Sequence, residues 1–68
     1  MSARYTVYEA DCSGNSWDLC QTDDGDHALS SLRAGQAARP RNVFGVYLTD
    51  DPEARGVQES LEEQEAEQ

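Results

Sequence analysis

A chain of 68 residues with fourteen acidic side chains, five arginines, no lysine and a formal charge of −9 makes one small domain with a thin core. Direct nucleic-acid binding is excluded, because the cations that would displace phosphate counterions are missing. An anionic membrane surface is excluded on the same ground, and no apolar run approaches the ~18 residues of a membrane span.

The first predicted element is a strand, Arg4–Ala10, built from β-branched and aromatic residues without a breaker. Ser13-Gly14-Asn15-Ser16 reads as a turn, and Trp17–Thr22 alternates as a second strand, so the two form a hairpin. A loop at Gly14-Asn15 sets Cys12 opposite Trp17 and Ala10 opposite Leu19. That register gathers Tyr8, Ala10, Cys12, Trp17 and Leu19 on the expected core face.

Asp23-Asp24-Gly25-Asp26 breaks the strand and supplies helix caps. A helix from about His27 to Ala34 comes next, with Ala28, Leu29 and Leu32 as its apolar stripe and Gly35 at the stop position. Ala37-Ala38 could extend the helix, but Pro40 pushes Arg39 out of helical space. The run Val43-Phe44-Gly45-Val46-Tyr47-Leu48 is the clearest strand in the chain, within Asn42–Thr49. Its alternation puts Phe44, Val46 and Leu48 toward the core and Val43 and Tyr47 on the other face, where Tyr5 and Val7 are expected to join them.

Asp50-Asp51-Pro52-Glu53 reads as a second helix start, aspartate at the cap and proline at the first turn. Gly56 weakens any helix that continues through it. Residues 57–68 carry Glu59, Glu62, Glu63, Glu65 and Glu67 against no base, and these repel one another at helical spacing. The expectation is one or two turns of frayed helix and then an acidic, disordered tail that adds little to the core, beyond a domain of residues 1–56.

The order β-β-α-β predicts an α+β fold: a three-stranded antiparallel sheet, order 2-1-3, with one helix on a face and a short C-terminal helix. Free edges on the outer strands offer a route to a homodimer. No apolar leader comes after a charged start, and the expected location is cytoplasmic.

No motif names a reaction, and the chain is expected not to be an enzyme. Cys12, Cys20 and His27 are the only soft metal ligands, and their spacing fits no zinc pattern. A Cys20–His27 nucleophile pair lacks a third group and a pocket. From Asp24 the twelfth residue is Gly35, where a calcium loop needs glutamate. No cofactor, metal or obligate disulfide is expected.

What remains is electrostatic. Asp23, Asp24, Asp26, Asp50, Asp51, Glu53, Glu59, Glu62 and Glu63, with an aromatic patch at Tyr5 and Tyr47, are the candidate partner-binding residues. The expected partner is a basic protein surface, in the sharpest case a nucleic-acid groove that the carboxylates occupy in place of phosphates. In size and acidity the chain is similar, as a class, to virus-encoded inhibitors of restriction or CRISPR machinery. The alternative is a small structural or regulatory protein of a halophile, whose acidity serves solvation.

Overall fold

A computed structural model describes residues 3–66; Glu67 of the acidic tail lies outside them. The elements are β1 (Tyr5–Ala10), β2 (Ser16–Thr22), α1 (Gly25–Ala38), β3 (Val43–Leu48) and α2 (Val57–Ala66). The strands form one antiparallel sheet in the order β2-β1-β3, as the strand pattern and crossover predict. Both helices touch each other, and α2 packs beside α1 against β3.

The hairpin closes differently from the expected register. The Asp11 backbone N–H donates to the Asn15 carbonyl at 2.9 Å, and the Asp11 carboxylate accepts from the Ser13 and Asn15 backbone N–H groups. These bonds build the loop on Cys12-Ser13-Gly14, with Gly14 at φ 91° supplying the left-handed residue of a three-residue hairpin. Ala10 therefore pairs with Ser16, not Leu19. The register shifts once more between Val7 and Tyr8, which leaves Leu19 as a bulge.

The core face of β1 is correspondingly the opposite one. Tyr5, Val7 and Glu9 lie in register with Leu48, Val46 and Phe44, beneath α1. Val7, Leu29 and Ala28 are fully buried, whereas Trp17 is 41% exposed and Tyr8 and Ala10 are half-buried on the outer face. Tyr5 and Val7 thus do not join Tyr47.

Glu9 explains why the apolar alternation misleads. It is a carboxylate fully buried under the helix layer, and two groups reach it from just before β3. Arg39 donates to both its oxygens, Nε at 2.7 Å and Nη2 at 2.9 Å, and the Asn42 amide donates to Oε2. A buried charge is tolerated when its oxygens are met in this forked geometry. The Arg39 hydrogen bonds hold the Glu9 carboxyl below the usual carboxylate range, against the opposing effect of burial. The same arginine is the C-cap of α1 and stands 5.9 Å from the Phe44 ring centroid, so one cluster locks the helix end to the sheet.

Helix α1 starts with Asp24 as N-cap, whose carboxylate accepts from the Asp26 N–H at 2.9 Å. It runs through Gly35 rather than stopping there. A Cβ at Gly35 would lie 2.5 Å from the Phe44 ring, so this glycine lets helix and sheet approach.

The Asp50–Arg55 segment does not start a helix. It forms turns, with Asp51 N–H to the Leu48 carbonyl at 3.0 Å and Ala54 N–H to the Asp51 carbonyl at 3.1 Å. Gly56, at φ 75°, then turns the chain into α2. That helix spans 10 residues, more than the one or two turns expected, and Leu61 is only 3% exposed. A Cβ on Gly25 would meet Leu61 Cδ2 at 2.6 Å, which places Leu61 on the start of α1, beside Tyr5. An exposed Arg33–Glu65 ion pair at 2.8 Å spans the same two helices and is worth roughly 0–1 kcal/mol.

Candidate protein-binding surface

The topology gathers charge that the sequence scatters. In this order β2 and β3 run the same way, so both end beside the start of β1: Tyr5 pairs with Thr22 on one side and Leu48 on the other. The Arg4 N–H donates to Asp23 Oδ1 at 2.8 Å, and the Thr49 N–H donates to the Arg4 carbonyl at 2.9 Å. Asp23, Asp24 and Asp26 therefore leave the sheet at the same end as Asp50, Asp51 and Glu53, and all six are exposed. Arg4 and Arg55 line a small crevice of about 200 Å³ at this end and offset only part of the charge.

Helix α2 borders that end through the contact of Leu61 with Gly25. Glu59, Glu62 and Glu63 are exposed on it, and Glu62 accepts from Gln58 at 3.3 Å. The opposite end of the sheet, where β1 finishes and β3 begins, holds Asp11 with Arg39 and Arg41. The molecule is thus electrically lopsided.

Of the two aromatic candidates, Tyr47 lies on the outer face of the sheet and Tyr5 does not. Tyr5 is 9% exposed in the core, stacked against Arg4 at 5.5 Å. Its place on the outer face is taken by Tyr8, which the sequence pattern assigned to the core. The Tyr8 and Tyr47 ring centroids are 5.9 Å apart with planes tilted by 43°. Tyr47 donates its hydroxyl to Asp18 Oδ1 at 3.2 Å, and burial followed by the Asp18 charge raises its pKa. Beside them Thr6 and Thr49 share a hydroxyl bond of 2.7 Å. Both helices cover the other face, so an open depression of about 660 Å³ lies here, walled by Ser16 and Asp18 on one side and Pro52 and Ala54 on the other.

The soft ligands and nucleophiles sit on three different parts of the fold. His27 is exposed in the first turn of α1; Cys12 sits exposed in the hairpin loop and Cys20 half-buried in β2, both as free thiols. Among the described residues no group of three or more His, Cys, Asp or Glu side chains is placed to hold a metal, and no helix is long and apolar enough to cross a membrane. The bulge at Leu19 twists the free edge of β2, a feature that discourages edge-to-edge pairing of copies.

Comparison with protein-family models, with curated proteins and with solved structures finds no match to this chain.

Proposed function

We propose that this chain is a protein-binding module that offers the carboxylate-rich end of its sheet to a basic partner surface and performs no reaction itself. The observation that carries this reading is the convergence of Asp23, Asp24, Asp26, Asp50, Asp51 and Glu53 on one end, where Arg4 and Arg55 are the cations that line the crevice beside them among the described residues. Such a concentrated field speeds encounter with a positive surface and rejects negative ones. In its sharpest form the partner surface is a nucleic-acid groove, and the module is a decoy. Acidity that served solvation alone would need no such asymmetry, which favours the binding reading over the halophile one.

The test uses the full chain as bait in native lysate, with nuclease present so that nucleic acid bridges nothing. A second bait carries Asp23→Asn, Asp24→Asn, Asp26→Asn, Asp50→Asn, Asp51→Asn and Glu53→Gln; asparagine still caps a helix, so α1 keeps its start. The expected result is capture of a basic protein by the native bait, lost with the amide bait and, after the nuclease is washed out, reversed by added duplex DNA. Equal capture by both baits would remove the acidic end from the interaction. Capture that DNA leaves unchanged would remove the decoy form.

A further inference from the structure

We propose that the open face of the sheet seats an arginine side chain of that basic partner, held by Tyr8, Tyr47 and Asp18. This rests on the protein-binding reading above and specifies what the partner inserts. Each strand contributes one element. Asp18 of β2, Tyr8 of β1 and Gly45 of β3 are in register across the sheet, and Tyr47 lies two residues further along β3 on the same face. Gly45 is there for Tyr8: an added Cβ would stand 2.6 Å from the tyrosine ring, so the ring rests directly on the β3 backbone. The paired rings give a half-buried aromatic floor, and the Tyr47 hydroxyl fixes the Asp18 carboxylate at its margin.

Asp18 is exposed and has no ion-pair partner among the described residues. The depression also runs to Pro52 and Ala54, in the same loop as Asp50, Asp51 and Glu53, so the floor is continuous with the acidic end. Five occupants compete for it, and charge and shape decide among them. A nucleic-acid strand would stack on the tyrosines but bring phosphates to a chain of net charge −9. A second copy brings another −9. An apolar segment would cover the Asp18 carboxylate without giving it a partner, which is costly. A guanidinium is flat enough to stack on the rings and carries donors for the carboxylate at its edge. Lysine satisfies the charge but has no plane to stack.

The experiment titrates the isotope-labelled full chain with hexa-arginine and with hexa-lysine, which present equal charge to the acidic end. Amide and tyrosine-ring resonances are followed at ~50 mM salt, where screening is weak. Hexa-arginine should shift Tyr8, Asp18, Gly45 and Tyr47 and bind about threefold to tenfold more tightly than hexa-lysine. Asp18→Asn, an exposed change, and Tyr47→Leu, which keeps apolar bulk but removes the ring, should each erase that difference. Their hexa-lysine affinity should stay within about twofold, since most of the acidic field is intact. Equal affinity for the two peptides overturns the arginine seat. So do shifts confined to Asp23–Asp26 and Asp50–Glu53, although the acidic end then survives as a binding surface. If neither peptide binds, the seat and the protein-binding reading fall together.

Discussion

Leu61 decides whether α2 belongs to the fold. It is the one large apolar side chain of its helix that is fully covered, and it lies on Gly25 and Tyr5 where α1 begins. Leu→Ala at a buried site costs about 2–5 kcal/mol, depending on how far the surroundings collapse. Helix α2 packs on α1 and β3 and can settle toward the gap, so the lower half, ~2–3 kcal/mol, is expected. In a domain this small each kcal/mol moves the midpoint by roughly 4–8 °C, so Leu61→Ala should melt on the order of 10–20 °C lower by circular dichroism. Glu62→Ala, exposed and adjacent, should stay within about 0.5 kcal/mol. Gly25→Ala provides the reciprocal probe. Its Cβ collides with Leu61 Cδ2 at 2.6 Å in the native chain, but once Leu61 is shortened it keeps the Tyr5 ring at an ordinary contact distance of 4.0 Å and loses the clash. The two substitutions should therefore be strongly non-additive, with the glycine change nearly neutral in the Leu61→Ala background. A midpoint shift under about 2 °C for Leu61→Ala, or simple additivity of the pair, would refute the packing of α2 on α1.

Gly35→Ala and Gly45→Ala should each destabilise by about 1–3 kcal/mol in a denaturant titration, since their Cβ atoms would meet the Phe44 and Tyr8 rings at 2.5 and 2.6 Å. Because the Glu9 carboxyl is held low by Arg39, its contribution to stability is complete above the ordinary glutamate value of about 4.3 and is lost as pH falls through the lower folded value. Melting curves from pH 7 down to 2 should show that loss, and Glu9→Gln should be destabilised at neutral pH with a flatter acid limb. A gel shift with duplex or single-stranded DNA at ~50 mM salt should be blank, and a clear shift at micromolar protein would contradict the charge argument. The native chain should already be folded at ~0.15 M salt, whereas a halophile's protein would gain cooperativity only near ~0.5 M and above.

The strands were legible because their residue types are unambiguous, and the order 2-1-3 came from the crossover. The faces were not. In β1 one alternation offers Tyr8 and Ala10, the other Tyr5, Val7 and a glutamate, and a glutamate ordinarily marks the solvent side. Here Arg39 and Asn42, thirty or so residues downstream, neutralise and satisfy it, a partnership no local pattern contains. The hairpin register failed for a smaller reason. Gly14-Asn15 has the letters of a two-residue loop, but Asp11 claims the Ser13 and Asn15 amides and draws the closing pair back to itself. At Gly35 a residue read as a stop is instead a gap for Phe44. The one sign of Glu9's role was its position as the sole charge within β1, with an arginine and an asparagine standing just ahead of the strand that pairs with it.

The acidic end is a different case, since it is a consequence of the topology once that is granted. With β1 central and both neighbours antiparallel to it, the residues after β2 and after β3 must emerge together, and those residues are Asp23-Asp24-Gly25-Asp26 and Asp50-Asp51-Pro52-Glu53. The residues before β3, which include Arg39 and Arg41, must lie at the other end. Helix α1 runs between the two, its positive N-terminus under the aspartates and its C-terminus at Arg39, so the macrodipole partly offsets both clusters. Capping and partner attraction are then not rival explanations for these aspartates. Asp24 gives one oxygen to the Asp26 N–H and Asp23 gives one to the Arg4 N–H, yet both stay exposed, so each remains a charge that a basic surface approaching this end would meet.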